Sequence, residues 1–406
     1  MRLSVPPKCH YFGKLRIMDV NRVVELDAGH YGQTTQDPEY PQTQAVLSQQ
    51  LQDILRDMAI VVPCKNEPAD ILEGVLSGIP HDCLAILVSN SDQAQYEQEL
   101  QTLAEFCHSA ARSALAIHQK DVGAATAFAA AGMPDVFLTV DDNGCPTIRN
   151  GKGEGMLIGI ALAAVMVPER RYIGFVDADN LVPGAVHEYC TSFAAGLALS
   201  AADQGGGQDT MVRISWPSKP KVRAGQVVFD RQGRSSHVVN GWLNRLLADI
   251  SGLPAADLNI VTTGNAGEHA MSVSLGLKLR LAGGYAVEPF HYLDLLEQQL
   301  GSGHVDRVSI MQIGTRNPHF HRDKGDEHVR GMWAQALSVM YHSSATPTKL
   351  RGDILAFMVE QGRLGQGQEP PQHRIYPSIG SLDLARLDLI LREQATSLQR
   401  FGPKAD

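Results

Sequence analysis

The sequence predicts a doubly wound α/β fold, a mostly parallel sheet flanked by helices, and three observations carry that reading. Between residues 46 and 121, amphipathic stretches alternate with short apolar runs in βαβ order. The runs are apolar throughout, which suits strands covered on both faces. Each run also ends in polar residues, and such sheets bind ligands beyond the carboxyl ends of their strands.

Taken in order, residues 1–45 read as polar and irregular, with one short strand in RIMDVNRVVELD (16–27). A helix over 46–57 precedes the strand MAIVVPC (58–64), which stops at Pro63 and KNEPAD. ILEGVLSGI (71–79) is the next helix and CLAILVSNSD (83–92) the second strand. YEQELQTLAEFCHSAAR is an amphipathic helix, and ALAIHQKD (114–121) a third strand with a polar end. RYIGFV ends in Asp177 and Asp179. Past residue 200 the pattern loosens. AADQGGGQDT (201–210) reads as a turn-rich insertion, and TMVRISW and GQVVFD as antiparallel strands. Helices are expected over 240–253 and 268–282, from 286 onward, and at the close of the chain. A division into 1–200 and 201–406 follows, as two parts of one continuous domain.

The net charge of −9 argues against non-specific nucleic-acid binding, while leaving room for a local basic pocket. None of the six cysteines stands in a CxxC pair, as expected of reduced thiols. The N-terminus lacks an apolar core of signal-peptide length, and the run 155–167 is shorter than a membrane span. The expectation is a cytoplasmic protein with no membrane partner.

Four strand ends deliver chemistry: Asn66 and Glu67, Ser89 and Asn90, Gln119 and Lys120, then Asp177 and Asp179. Four in succession point to one cleft. The first loop, VVPCKNE, lacks both GxxxxGK[ST] and GxGxxG, which weakens ATPase and dehydrogenase readings. Asp177 and Asp179, two apart at a strand end, share a face and repel unless a cation or proton lies between them. They suit a divalent cation holding a diphosphate; a plain helix cap is the alternative. In GKGEGM (151–156), Lys152 is placed either to meet phosphate or to sit in an ordinary turn. His319 and His321, in TRNPHFHRDKG, offer a further metal ligand or are solvated loop histidines, and Arg316 and Lys324 would suit an anionic acceptor. TTGNAGEHAM reads as the start of a helix, with amides for an anion around Asn265. There Glu268 either orients an acceptor hydroxyl or complements the helix dipole.

The succession VVPCKNE, LVSNS, HQKD, GKGEGM, FVDADN, TGNAGEHAM, AVEPFH and TRNPHFHRDKG resembles the mannosyl-3-phosphoglycerate synthases, a family of retaining GT-A glycosyltransferases, from about residue 10 to 345. It departs at IGTRNPH, where an acidic residue is expected before the threonine, and in the glycine-rich insertion at 204–207. The resemblance implies a GT-A-like sheet that binds the nucleotide sugar (1–200), with an acceptor-binding and helical region after it. It also implies transfer of mannose from GDP-mannose to the 2-hydroxyl of 3-phosphoglycerate, giving the precursor of the compatible solute mannosylglycerate. A divalent cation is needed, with Mg2+ favoured over Mn2+, Co2+ or Zn2+. Asp177, Asp179 and Glu268 would be catalytic, and Asp177, Asp179 and His319 the metal ligands. Pro63, Asn66, Glu67, Ser89, Gln119, Lys120 and Lys152 would hold GDP. Thr147, Arg149, Asn265 and Arg316 would meet the acceptor. A homodimer is also expected. Two rivals stand: a glucosyltransferase with the same acceptor, and a nucleotide-sugar-binding regulatory protein without turnover.

Overall fold

The strand Met58–Cys64 is the centre from which the sheet is built. It pairs in parallel with Leu84–Ser89 on one side and Tyr172–Phe175 on the other, and Leu84–Ser89 pairs in parallel with Ala114–His118. The structure is a computed structural model describing residues 1–26, 42–202, 209–223, 226–230, 234–254, 258–301 and 306–403. The glycine-rich insertion at 204–207 lies outside the described residues. Among those described, a sheet of 13 strands runs through both halves of the chain.

Direction matters more than number. His269–Ser272 runs antiparallel to Tyr172–Phe175 and to Asp209–Ser215, and Asp209–Ser215 is parallel to Val308–Gly314. From Ala114–His118 across to Val308–Gly314, every strand except His269–Ser272 therefore points the same way. Their carboxyl ends open onto one edge, and the reversed strand brings its amino end, Gly267 and Glu268, to that edge.

Side chains alternate across the central strand, so its two faces bury separately. Ala59 and Val61 pack with Met156, Leu157 and Ile160 of the helix Lys152–Val165. Ile60 and Val62 pack with Val186 and Tyr189 of the helix Pro183–Ala202. The Val, Ile, Leu and Met side chains among these contribute about 1.5–3 kcal/mol each when fully buried. Three layers result, as the unbroken apolar runs foretold.

Several expectations need correction. Residues 268–282 are not one helix: the strand His269–Ser272 leads into the short helix Val273–Lys278, capped by the Ser272 hydroxyl, and then Leu281–Ala282 pairs with Ile375–Tyr376. A short apolar run fits either period, and here sheet pairing decides. Hence no helix N-terminus lies at Glu268. TMVRISW is a strand antiparallel to one neighbour and parallel to the other. Val308–Gly314, unassigned from sequence, is a fully buried strand. Its Gln312 obscured the pattern: the amide nitrogen donates to the carbonyls of Ile260 (2.6 Å) and Met18 (2.9 Å). The N-terminal region is more ordered than expected, with strands at Arg2–Ser4, Cys9–Phe12, Leu15–Met18 and Asn21–Glu25. Among the described residues no helix is long and apolar enough to cross a membrane.

Candidate active site

The converging strand ends line a cleft of about 670 Å3. Pro63 and Glu67 come from the first strand and its loop, Gln119 from the third, Asp177 and Asp179 from the fourth. Lys219 and Lys221 follow the strand Asp209–Ser215, and His319, His321 and Lys324 follow Val308–Gly314. The first turn of the helix Lys152–Val165 supplies Lys152.

Two lysines hold the two aspartates. Lys152 Nζ lies 2.5 Å from Asp177 Oδ1 and 2.8 Å from Glu288 Oε1. Lys324 Nζ lies 2.9 Å from Asp179 Oδ2 and 3.4 Å from Glu67 Oε1. Burial works to raise both aspartate pKa values, but the two ammonium groups outweigh it and keep them below the usual range. Lys152, conversely, stays charged: its carboxylate partners overcome the desolvation that would neutralise it. Glycine at 267 leaves room for this pair, since a Cβ there would crowd both Asp177 Oδ2 and Lys152 Nζ.

Beneath this pair sits a group of ligand-capable atoms. Asp177, Glu268 and His319 each place one such atom within 4.8 Å of the others. Glu268 and His319 are buried, with His319 Nδ1 3.2 Å from Glu268 Oε1, and among the described residues neither Glu268 oxygen accepts a hydrogen bond. Desolvation, reinforced by Asp177, pushes the Glu268 carboxyl up to about 8. Burial, with Lys219 nearby, pushes His319 well down, so its imidazole is neutral. The Trp216 ring is 4.9 Å from that of His319, and Lys219 Nζ stands 3.8 Å over the same indole.

Of the residues expected from sequence, Pro63, Glu67, Gln119, Lys152, Asp177, Asp179, Asn265 and His319 line the cleft. The metal-capable group contains Asp177 and His319 with Glu268 as its third member; Asp179, the other expected ligand, lies outside that group and 2.9 Å from Lys324. Asn66 acts in the backbone: it adopts φ +54°, its N–H donates to Ser91 Oγ (2.7 Å), and its amide oxygen accepts from Asp92 N–H. Ser89 is buried and accepts from Ser91 N–H. Lys120 Nζ donates to the Ile148 carbonyl at 2.6 Å. Three acceptor assignments are not brought to the cleft among the described residues. Thr147 is buried opposite Thr139 in a hairpin, Arg149 Nε donates to Val136 O, and Arg316 Nη1 donates to Val24 O.

A family model described as mannosyl-3-phosphoglycerate synthase matches residues 5–391. The chain belongs to the mannosyl-3-phosphoglycerate synthase family. It is 38% identical to the mannosyl-3-phosphoglycerate synthase of Pyrococcus furiosus over 99% of this chain and 100% of that one. With the enzyme of the same name from Aeropyrum pernix it shares 33% identity, covering 94% of this chain and 95% of that one. A crystal structure of glucosyl-3-phosphoglycerate synthase from Mycobacterium tuberculosis aligns with a TM-score of 0.48 and 19% identity, covering 75% of this chain and 86% of that one.

In this synthase-family chain the donor set of two carboxylates and one neutral imidazole, with no hydrogen bond to either Glu268 oxygen among the described residues, fits a divalent cation. Sequence reasoning missed a second set of cleft residues. Lys219, Lys221 and Arg234 form a basic lobe beside Ser235 and Asn265, in which Arg234 also pairs with Asp323 and Asp326 and Lys221 lies 3.7 Å from Asp323; Asn265 Nδ2 donates to Ser235 Oγ (3.2 Å), and its buried Oδ1 has no hydrogen-bond partner among the described residues. Lysines in a polar stretch carry no distinguishing signal. Glu288 lies in the apolar helix Val287–Leu300, where a carboxylate on a buried face was the clue. Tyr285, Gln335 and Arg374 complete the opposite wall. Arg374 comes from the region past residue 345, where the sequence offered no motif.

Proposed function

We propose that this protein transfers mannose from GDP-mannose to the 2-hydroxyl of 3-phosphoglycerate with retention of configuration, using a divalent cation, Mg2+ by preference, held by Asp177, Glu268 and His319. The observation that carries the reading is the convergence of Asp177, Glu268 and His319 beside the lysine-held pair Asp177 and Asp179, in the cleft that also holds Lys219, Lys221 and Arg234, in a chain of this family.

When bound, the cation would supply Lewis-acid stabilisation to the departing diphosphate. The protein's own groups supply the rest. Pro63, Glu67 and Gln119 wall the nucleotide end at the strand termini. Lys152, with its charge secured by Asp177 and Glu288, offers a cation beside the diphosphate. Lys219, Lys221, Arg234 and Asn265 receive the acceptor's carboxylate and phosphate, whose two anionic groups match a lobe of three cations. Holding both substrates in this geometry removes most of the entropic cost of their encounter.

Retention is assigned to front-face attack. Asp177, Asp179 and Glu67 are each engaged by a lysine, and Glu268 belongs to the ligand group, so no cleft carboxylate among these stands ready as a nucleophile. The test is product analysis: the protein is incubated with 3-phosphoglycerate, Mg2+ and in turn GDP-mannose, GDP-glucose and UDP-glucose. An α-mannosyl product by NMR from GDP-mannose is expected. Transfer only from a glucose donor would overturn the donor assignment. A mannosylated protein, detected by mass spectrometry when acceptor is omitted, would overturn front-face attack.

A further inference from the structure

We infer that the C-terminal segment 371–376 is a positioning wall for the donor side of the cleft, acting through the buried carboxylate of Glu154 on the helix turn that carries Lys152. The inference rests on the reading of Lys152 as a donor-diphosphate group.

Glu154 is 0% exposed, and a buried carboxylate is costly unless its oxygens are satisfied. Here they are, by groups distant in sequence. Oε1 accepts from the Tyr376 hydroxyl at 2.6 Å and from Arg374 Nη2 at 3.4 Å. Oε2 accepts from the Gly284 N–H at 3.0 Å. Arg374 Nε donates to the Tyr376 hydroxyl oxygen (3.0 Å), and the Gly283 N–H donates to the Arg374 carbonyl (2.9 Å). Leu281–Ala282 and Ile375–Tyr376 pair as a two-stranded ladder. The Tyr376 ring meets Phe137 edge-on at 5.0 Å, and the Tyr285 N–H donates to Gln335 Oε1 at 2.9 Å. Helix start, turn 283–285 and C-terminal segment are thus one hydrogen-bonded unit centred on one carboxylate.

That unit faces ligand. Lys152, two residues before Glu154, reaches Asp177 and Glu288 from the same helical turn, while Gly284, Tyr285, Gln372, His373 and Arg374 line the cleft beside it. A shift of the segment is passed through Glu154 to Lys152, on the donor side. The basic lobe at Lys219, Lys221 and Arg234 hangs on different elements, the strand Lys219–Arg223 and the start of the helix Arg234–Ser251. A scaffold that only held the fold together would favour neither substrate; this arrangement acts on one.

The test uses Tyr376→Phe, which removes one hydroxyl and keeps the ring, with Glu154→Gln as a second variant. GDP affinity is measured by calorimetry, and KM for each substrate and kcat by coupled assay. Both variants are expected to weaken GDP binding and raise the GDP-mannose KM about tenfold, the size of one hydrogen bond to a charged group. The 3-phosphoglycerate KM and kcat should stay within about twofold. In a Glu154→Gln background, Tyr376→Phe should add less than about twofold, because the two act as one unit. Unchanged GDP affinity in a folded Tyr376→Phe protein, or equal rises in both KM values, would overturn the inference. The GDP titration needs no turnover, so absence of transfer by the unsubstituted protein would sink the transferase reading while the wall was still tested.

Discussion

Replacing Lys152 by methionine keeps most of the side-chain volume and removes the charge. The ammonium now lies 2.5 Å from Asp177 and 2.8 Å from Glu288, and its side chain is 16% exposed. Without it, two carboxylates face a common point with no cation between them. Deleting one partner of a buried ion pair costs about 3–5 kcal/mol. Asp177, 29% exposed, regains water through the cleft, whereas Glu288, 3% exposed, does not, so the lower end of that range, about 3 kcal/mol, is expected. Unfolding entropy of about 2.1 cal/mol/K per residue gives about 0.85 kcal/mol/K for 406 residues, so Tm should fall by about 3–4 °C. Added Mn2+ should restore more of the variant's Tm than it adds to the unsubstituted protein, because a divalent cation then supplies the missing positive charge. GDP affinity should still drop at least about tenfold, one charge-assisted contact's worth. Scanning calorimetry with and without Mn2+, followed by GDP titration, reads all three. An unchanged Tm together with unchanged GDP affinity would refute the role given to Lys152.

Further outcomes follow from the same geometry. Arg213 is fully buried, donates to the carbonyls of Thr263 (2.9 Å) and Ala266 (3.5 Å), and lies over the Tyr292 ring at 4.9 Å; Arg213→Met should release the loop that leads to Glu268 and lower kcat more than tenfold, roughly the loss of one positioned group, while an unaltered kcat would contradict it. Mn2+, a paramagnetic quencher, should dim the fluorescence of Trp216, whose ring is 4.9 Å from that of His319, and Trp216→Phe should abolish that quenching; equal quenching in the variant would place the ion elsewhere. Burial pushes His269, His291 and His319 well below the usual histidine range and His373 down to about 4. These histidines protonate near pH 6.5 in the unfolded chain but not in the folded one, so their contribution to stability is full above pH 6.5 and declines as pH falls toward 4, while Glu268, pushed up to about 8, works in the opposite sense between about pH 8 and 4.5. With that carboxyl removed in Glu268→Gln, a Tm constant from pH 7.5 to 5 would contradict the histidine assignment.

The parallel half of the sheet was legible because buried strands announce themselves. The expected strand MAIVVPC has its observed bounds, and the polar strand ends lie at the cleft. What stayed hidden had mixed signals. Val308–Gly314 carries a buried glutamine that serves loop carbonyls, which blurs an apolar run. His269–Ser272 is too short to separate strand from helix by period, and its reversal is set by neighbours distant in sequence. The DxD pair was visible, but the grouping of Glu268 with Asp177 depends on that reversal. So does the distinction between Asp177, which joins the ligand group, and Asp179, which meets Lys324. Thr147, Arg149 and Arg316 show the limit of assigning acceptor contacts by proximity in sequence: among the described residues none lines the cleft, Thr147 is buried in a hairpin, and the two arginines donate to the Val136 and Val24 carbonyls. The basic lobe and Arg374 were beyond reach, because only the fold brings those residues together.

The central claim, that this cleft spends a nucleotide sugar on 3-phosphoglycerate with the help of a cation at Asp177, Glu268 and His319, is tested most directly by GDP release from GDP-mannose. The rate is measured with and without 3-phosphoglycerate, with and without Mg2+, and in Glu268→Gln. The account predicts release that needs both acceptor and cation and falls at least about 100-fold in the variant, the scale for losing one group that acts in the transition state. Release that ignored the acceptor, or that survived in Glu268→Gln at the original rate, would contradict it.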